Sequence, residues 1–582
     1  MPIAAPVNQD VPVSWLTPGV YVQLDTSGAG AGLNSPIKKL LILAHKLASG
    51  IQPQDTPVQI TTQQDAFNYF GRGSDLARIF QCVESQLGAG IIDVYGVGIA
   101  EPTGGVQATH LITFFGTAAV QGSVSVSICG YTAVTQINAG DTPTVIAANV
   151  ATQINLLLDI PVTASAASGT VTLTARHKGG TGNDCPIIVT FTNPTTIGVT
   201  ASPGTLTYAT NASGAGSATL TVGGTTITAA ITNGDTPGTV AANMAAAINA
   251  IAGPVTATVA GAVVTLLYQQ ERVVHRVSAA IVTSTGITVT PAVGTQGSGT
   301  PTLPTALSNI AGQAAYLVWV SSWNDTATLG TLSNHIEGYA NGLFQKNQTL
   351  YAASTDAYAT ATVIPPGTTP ALTASPRYHI DWCVDAPLMA YELCARHAAR
   401  VCAEDYYAQN YDGEPLKSIF ATIPFPLPHR NVRPDPGTVN AALRAGLTPL
   451  VVDESANKLV ILRGRTTSSS SDSRVWDTSL IKTLDFYRLD LATFLRARFK
   501  QMSIRQSGVP HTPKTVTTDN IRDAVIERMR KWDDADLFDG VDDLKAQAKV
   551  NVNVLSPSRI DIFVPCRPPV NLHTMAVVAG LQ

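Results

Sequence analysis

Charge is scarce in this chain. Of 582 residues only 13% are Asp, Glu, Lys or Arg, and 36 basic against 40 acidic side chains leave a formal net charge of −4. A nucleic-acid-binding protein carries a strongly basic face, so this balance argues against that class. With 45% apolar residues the chain is not of the disordered class either. So few charges on so long a chain hint that other subunits cover much of its surface. No CxxC pair occurs among the seven cysteines, Cys82, Cys129, Cys185, Cys383, Cys394, Cys402 and Cys566. The odd number argues against a disulfide framework and for synthesis in a reducing compartment. The opening MPIAAPVNQDVPVSW lacks a basic region followed by an apolar run, so no secretory signal is expected. No apolar run reaches the roughly 18 residues of a membrane span. The uncharged stretch Thr236–Gln270 is broken by Asn243, Asn249, Gly253 and Pro254, and reads as a buried helix followed by strands.

The length is too great for one core and predicts roughly two to four domains. PGVYVQLDTSGAGAG (Pro18–Gly32) is one short strand on a glycine tether, an N-terminal arm over residues 1–33. KKLLILAHK, TTQQDAFNYFG, LARIFQCVESQ and GIIDVYGVG then alternate strand, helix, helix and strand over 34–103, one small α/β unit. The same alternation resumes over 301–437, with strands at AAYLVWVSSW and QTLYAAST. The most periodic helix follows, with Met389, Leu393, Cys394, His397, Val401 and Cys402 in one stripe and Asp385 and Pro387 at its start. These two stretches read as one α/β domain split around an insertion.

The insertion repeats itself. INAGDTPTVIAANVATQIN (Ile137–Asn155) lines up with ITNGDTPGTVAANMAAAIN (Ile231–Asn249), and TVTL ending at Leu173 with VVTL ending at Leu266. This predicts two copies of one β-rich module, over 104–200 and 201–300, each a strand pair, a helix and a strand pair. In both, GDTP places a threonine (Thr142, Thr236) as N-cap and a proline (Pro143, Pro237) at the first helical position.

A last domain, 438–569, opens with a helix, a turn and two strands. It continues with amphipathic helices marked by Leu480, Leu484, Tyr487, Leu491 and Leu495 and by Ile521, Val525, Arg528 and Trp532. KVNVNVL and RIDIFVP then alternate at period two, a hairpin setting Val550, Val552 and Val554 with Ile560, Ile562 and Val564. After Pro568-Pro569 the chain ends on VNLHTMAVVAGLQ, a C-terminal arm over 570–582. Both termini are thus lone strands on breakers, and the hairpin has two free edges. A solitary hairpin is marginal in water and wants neighbours. Either the arms fold back on their own domain, or they join the hairpin of another copy, which builds an open head-to-tail lattice or tube.

Residues PGVYV (Pro18–Val22), PVQITTQQDAFNYFG (Pro57–Gly71), LRAGLTPLV (Leu443–Val451), ILRGRTT (Ile461–Thr467) and the closing helix, hairpin and tail resemble contractile tail sheath proteins, nearest in flavour to the Mu-like myophage sheath. The resemblance covers roughly 15–100 and 300–582 and leaves the repeats outside. It implies a multidomain α+β and α/β fold: an inner α+β domain, a split outer α/β domain and a β-rich tandem-repeat insertion. It implies a structural subunit and no enzyme, with no cofactor, stacking as rings of six around a tail tube and contracting to drive the tube through the host envelope for genome ejection. Carried over, Val20, Tyr21, Val22 and Met575, Val577, Val578 would be strands donated to a neighbour, and Val550, Val552, Val554, Ile560, Ile562 and Val564 the receiving hairpin. Arg488, Arg496, Arg498 and Lys500 would face the tube, or form an ordinary solvated helix face. The implied partners are further copies of the chain, the tail tube protein, and baseplate and tail terminator proteins, with neither nucleic acid nor membrane insertion. The implied location is the virion tail, assembled in the host cytoplasm. Two other readings stand beside it: the sheath of a phage-derived bacteriocin or injection particle, and a surface-binding tail adhesin whose repeats are immunoglobulin-like modules.

Motifs for chemistry are weak. GGTGN (Gly179–Asn183) lacks the GK[ST] ending of a phosphate loop. WDDADLFDGVDD (Trp532–Asp543) puts Phe538 where a calcium loop needs an oxygen, and reads as a solvated acidic turn. His379, Asp381, Cys383 and Asp385 lie close along one strand, where a Cys/His site is conceivable but a buried cysteine is the common case. His397 reads as a satisfied core histidine, and Arg463 and Arg465 as structural.

Overall fold

In the computed structural model the described residues are 38–570 apart from 193–197, 202–204, 223–224, 252–254, 269–272, 275–276, 283–287, 292–293, 314, 341–345, 365–374, 405–412, 420–424, 429, 431–432, 469–472, 506–511, 513 and 555–557. The first element is β1 (Lys39–His45), buried from Leu40 onward. A strand buried on both faces belongs inside a parallel sheet. There follow β2 (Val58–Ile60), α1 (Gln63–Phe70), α2 (Asp75–Leu87) and β3 (Asp93–Ile99). Thr62 and Asp65 close a capping box at α1, and the Ser74 hydroxyl caps α2.

The chain then leaves this layer for two modules of one design. The first holds β4 (Gln107–Phe115), β5 (Gly122–Ile128), β6 (Tyr131–Ile137), α3 (Pro143–Asn155), β7 (Val162–Ala167), β8 (Thr170–Lys178), β9 (Ile187–Thr192) and β10 (Gly198–Ala201). The second holds β11 (Thr205–Ala209), β12 (Gly216–Val222), β13 (Thr225–Ile231), α4 (Pro237–Ala250), β14 (Val255–Ala260), β15 (Val263–Tyr268), β16 (Val273–Val274), β17 (Val277–Val282) and β18 (Thr288–Pro291). The sheets match: β10-β4-β8-β7 corresponds to β18-β11-β15-β14, and β9-β5-β6 to β17-β12-β13, while β16 crosses over to pair with β9. Each module thus has more strands than the two pairs the repeat suggests, because its outermost strands are not alike enough in sequence to align. Small details are duplicated too. The Asp141 carboxylate accepts from the Asn138 N–H and the Asp235 carboxylate from that of Thr232, both at 2.7 Å. Asn155 braces Ala164 as Asn249 braces Ala257, each amide bonded to both the N–H and the C=O of its partner. The Thr236 hydroxyl oxygen accepts from Thr239 N–H, whereas Thr142 occupies the N-cap position without a side-chain cap bond.

Besides the β16–β9 pairing, the second module is tied to the first where its chain leaves and returns. It leaves the first after Ala201, which lies opposite Ile112 of β4, and returns at Thr295, bonded in both directions to Thr109 of the same strand. Its core, from Leu206 and Val240 to Met244 and Leu266, is its own. The first module instead shares one core with the α/β layer.

That layer resumes with α5 (Pro304–Ala311), β19 (Val318–Ser321), α6 (Thr326–Ala340), β20 (Thr349–Ser354), α7 (Tyr358–Ala361), β21 (Tyr378–Trp382), α8 (Ala390–Ala403), α9 (Pro436–Arg444), β22 (Thr448–Asp453) and β23 (Lys458–Ile461). One eight-stranded sheet results, ordered β2-β3-β1-β19-β20-β21-β22-β23, parallel except at its β2 and β23 edges. Leu40, Ile42 and Ala44 face the core under α2 and α8, and Leu41 and Leu43 the core under α5 and α6. The chain is therefore a mixed α/β protein with several sheets.

Two expectations change. The helix and strand pair expected to open the last domain near Thr438 are α9, β22 and β23, and they complete this large sheet; local pattern gives the strands but not the sheet they join. And α8 is not one apolar stripe. It starts at Ala390 rather than at Asp385, and it is buried nearly all round, Glu392 and Arg396 included, because Glu392 pairs with Arg78 of α2 and Arg396 donates to the Lys417 carbonyl.

The described residues divide into two compact units, 38–404 with 413–481, and 482–569. The smaller unit holds most of α10 (Thr478–Arg498), then β24 (Ser503–Ile504), β25 (Thr515–Val516), α11 (Thr518–Asp533), α12 (Val541–Leu544), β26 (Lys549–Val552) and β27 (Ile560–Phe563).

Candidate functional site

The small unit is built around a charge buried between two helices. Asp490 of α10 and Arg528 of α11 are both shut off from solvent. Arg528 Nε donates to Asp490 Oδ2 at 2.5 Å, and a terminal nitrogen donates to Oδ1. Trp532 Nε1 donates to the same Oδ2 at 2.7 Å. The guanidinium also lies 5.0 Å from the Phe494 ring centre. Around this triad Tyr487 stacks on Trp532 at 4.5 Å, and Phe486, Met529, Leu537 and Phe538 complete the core.

On that base sits the hairpin. Val550 pairs with Ile562 and Val552 with Ile560, which puts these four on one face. Val550 packs with Val516 and Ile521, against which Phe499, Ile560 and Ile562 also lie. The other face carries Lys549, Asn551, Asp561 and Phe563, the last 57% exposed. Val554 lies past the end of β26 and is 94% exposed, while Val564 lies past β27 and packs on the core. The ribbon has two strands, and among the described residues neither outer edge carries a third. Its backbone groups are thus placed to take an added strand on either side.

The chain leaving the hairpin is clamped. The Arg567 carbonyl accepts from Asp539 N–H at 2.8 Å, its Nε donates to the Asp539 carbonyl at 2.7 Å, and its head lies 3.2 Å from the Asp543 carboxylate. Gly540 lets this happen: its φ is +72°, and a Cβ there would stand 2.0 Å from the Arg567 terminal nitrogen. The acidic stretch once comparable to a calcium loop is accounted for in this way, with Phe538 in the core and Asp542 paired to Lys545 at 2.5 Å.

The four cations of α10 differ. Arg488 is half-buried, whereas Arg496, Arg498 and Lys500 are exposed at the helix C-terminal end, where positive charge complements the helix dipole. Arg498 is paired with Glu527 at 2.6 Å. The donated-strand residues Val20, Tyr21, Val22, Met575, Val577 and Val578 lie outside the described residues.

The larger unit gathers the remaining candidates into packing. His397 Nδ1 meets Asp381 Oδ1 at 2.8 Å, and His379 stacks on Tyr351 at 4.4 Å. Burial pushes His379 down to about 3 and the Cys383 thiol up to about 12, so neither carries a charge useful for nucleophilic work near neutrality. Arg465 is buried over Trp476 and donates to the carbonyls of Leu443, Thr466 and Ser468, and Arg463 pairs with Asp477 at 2.8 Å. Gly180–Asp184 is a tight turn after β8 with no helix behind it. Among the described residues no group of three or more His, Cys, Asp or Glu side chains is arranged to hold a metal ion, and no helix is long and apolar enough to cross a membrane.

No family model matches the chain. It is similar to the Mu-like prophage FluMu tail sheath protein of Haemophilus influenzae, with 32% identity over 175 residues, 30% of this chain and 36% of that protein. The match thus spans little more than a third of that relative's length. Among solved structures, it aligns with a sheath tail protein from Desulfitobacterium hafniense (10% identity, 92% of this chain and 93% of that one, TM-score 0.39). It also aligns with one from Listeria innocua (10% identity, 93% and 94%, TM-score 0.40). The resemblance to tail sheath proteins that the sequence motifs carry is borne out by the curated homologue.

Proposed function

We propose that this chain is a structural subunit of a contractile tail sheath, stacking as hexameric rings around a tail tube and shortening to drive that tube through the host envelope for genome ejection. The observation that carries the reading is the two-stranded ribbon of β26 and β27, open on both edges among the described residues, in a chain whose sequence pattern predicts a strand at each end and which has a tail sheath homologue. Val20–Leu24 of one copy and Met575–Val578 of another add to that ribbon, and Val550, Val552, Val554, Ile560, Ile562 and Val564 receive them. Ladders of backbone hydrogen bonds survive large subunit rotations because glycine and proline tethers, not the ladders, absorb the change. Residues 482–569 then act as the inner domain, the α/β layer with α9, β22 and β23 as the outer one, and the repeats as an insertion on it. Arg488, Arg496, Arg498 and Lys500 are offered as the tube-facing set. Arg496 and Lys500, both exposed, support that better than Arg498, which is engaged with Glu527. The partners are other copies, the tube protein, and baseplate and terminator proteins, in a virion tail assembled in the host cytoplasm. No catalysis is assigned to the chain.

Negative-stain electron microscopy of the chain expressed alone tests this. Long hollow tubes with a helical repeat are expected. A variant lacking residues 1–24 should stay folded and fail to polymerise, and tubes from it would refute strand donation by the N-terminal arm.

A further inference from the structure

The parallel strands of the large sheet reverse their order between β1 and β19. In doubly wound sheets the crevice beyond the carboxyl ends of the strands at such a point is where ligands sit. Here the chain's own first module fills it. His45 ends β1, and its ring stacks on His177 of β8 with centroids 5.3 Å apart. Trp323, just past β19, meets His45 edge-on at 5.1 Å. Asp75 opens α2: its backbone N–H donates to His177 Nε2 at 3.3 Å, its carboxylate lies 3.5 Å from His45 Nδ1, and it accepts from Tyr391 Oη of α8 at 3.1 Å. His177 Nδ1 lies 3.6 Å from Glu101, on the segment joining β3 to β4. His45, Asp75 and His177 are buried, and Glu101 is a third exposed. The titratable groups facing the two rings are therefore Asp75 from α2, Tyr391 from α8 and Glu101 from the connecting segment. Lys178, next along β8, acts on Glu101, and Cys185 and Met389 line the far side of His177.

The hydrogen bond from Asp75 N–H to Nε2 of His177 can form only while that nitrogen offers its lone pair. A proton there would set N–H against the N–H of Asp75, at the positive end of a helix, and beside another histidine. We propose that His177 and His45 form an acid-released latch that fastens the first module to the α/β sheet. An imidazole released to solvent takes up a proton at a pH of about 6.5. Docked, His45 is held below that value by burial. Each proton excluded by the docked form makes opening about tenfold more favourable per pH unit below 6.5. The carboxylates act further down. Burial alone would raise Asp75, but His177 and His45 hold it below its usual range, and the His177 bond lowers Glu101, so both oppose release until the pH nears 4. In the register that aligns Leu173 with Leu266, the second module has Gln270 where the first has His177, a side chain that accepts a hydrogen bond without titrating.

Hydrogen exchange by mass spectrometry on the full-length subunit, corrected for intrinsic rates between pH 7.5 and 5.0, reads the latch. In the unmodified chain, where two protons are excluded, amides of 75–78 and 172–178 should open about a hundredfold more per pH unit below 6.5, and in His177→Gln, where His45 alone is left, only about tenfold. A flat profile in the unmodified chain, or the same slope in His177→Gln, overturns the proposal. If His177→Gln does not fold, exchange of the imidazole C2 proton in the unmodified chain decides: titration of His177 coincident with opening supports the latch, and titration of a still-docked His177 refutes it.

Discussion

Asp490 and Arg528 show how much rests on single residues. The pair is satisfied on every side that the geometry offers: two guanidinium bonds, one indole bond and a ring face. Breaking such a buried pair leaves one charge without compensation and costs about 3–5 kcal/mol, whereas replacing both members with apolar groups is far milder. Asp490→Ala is therefore expected to lower the stability of the 482–569 unit by that amount in urea unfolding followed by Trp532 fluorescence. The double variant Asp490→Leu with Arg528→Met should recover most of it. Equal losses in the single and double variants would show that the pair adds nothing beyond its volume. The sequence put Arg528 in the apolar stripe with Ile521, Val525 and Trp532, and a charged residue in such a stripe is itself the signal for a buried partner. Nothing local names Asp490, since the partner comes from another helix.

At the level of elements, the two modules make a controlled comparison. They share topology, turn chemistry and asparagine braces, yet only one is built into the α/β layer. The first carries Tyr131, whose hydroxyl donates to Gln81 at 2.9 Å, and Asp159, which pairs with Arg72 at 2.5 Å and whose carbonyl accepts from Arg78 at 2.5 Å. The equivalent of Tyr131 is Thr225 in the second copy, and its stretch 205–268 holds a single charged residue, Asp235. Replacing 202–293 with a short linker should therefore leave a folded, soluble remainder whose melting temperature moves by no more than about 4 °C, the shift of roughly 1 kcal/mol in a domain of ordinary size. Removing 104–300 uncovers α2 and α8 and should give aggregated protein. Circular dichroism melts and size-exclusion profiles of the two deletions check this, and an aggregated first deletion would mean that the cores are not separate. The duplication was legible because GDTP, AAN and the closing IN recur at the same spacing in both copies. The docking of one copy was not, because its contacts are single polar residues reaching far along the chain, visible only where the copies are compared position by position.

For the molecule as a whole, the alternation of strands and helices made the mixed α/β character readable, and period-two Val and Ile made the hairpin readable. The sheet that β22 and β23 join was not, because their pattern is equally that of a strand pair standing alone; only the parallel pairing of Asp381 with Thr448 and Trp382 with Pro449 decides it. The same sparse charge bears on assembly. Contacts made by backbone ladders depend little on screening, whereas ion-pair contacts weaken once the Debye length falls to a few ångströms. Tubes of the subunit alone are accordingly expected to persist in about 0.5 M sodium chloride by light scattering and microscopy. Dissolution at that salt would assign the assembly to charged contacts instead.

The attachment of the second module reaches beyond stability. The chain departs beside Ile112 and comes back beside Thr109, neighbours on one strand, so the two ends of everything in between lie about 10 Å apart by strand geometry. Any domain whose own termini are similarly close could be spliced there without disturbing β4. In a polymer of identical subunits such a splice would be repeated at every lattice point, making that spot of β4 a socket for arrayed cargo.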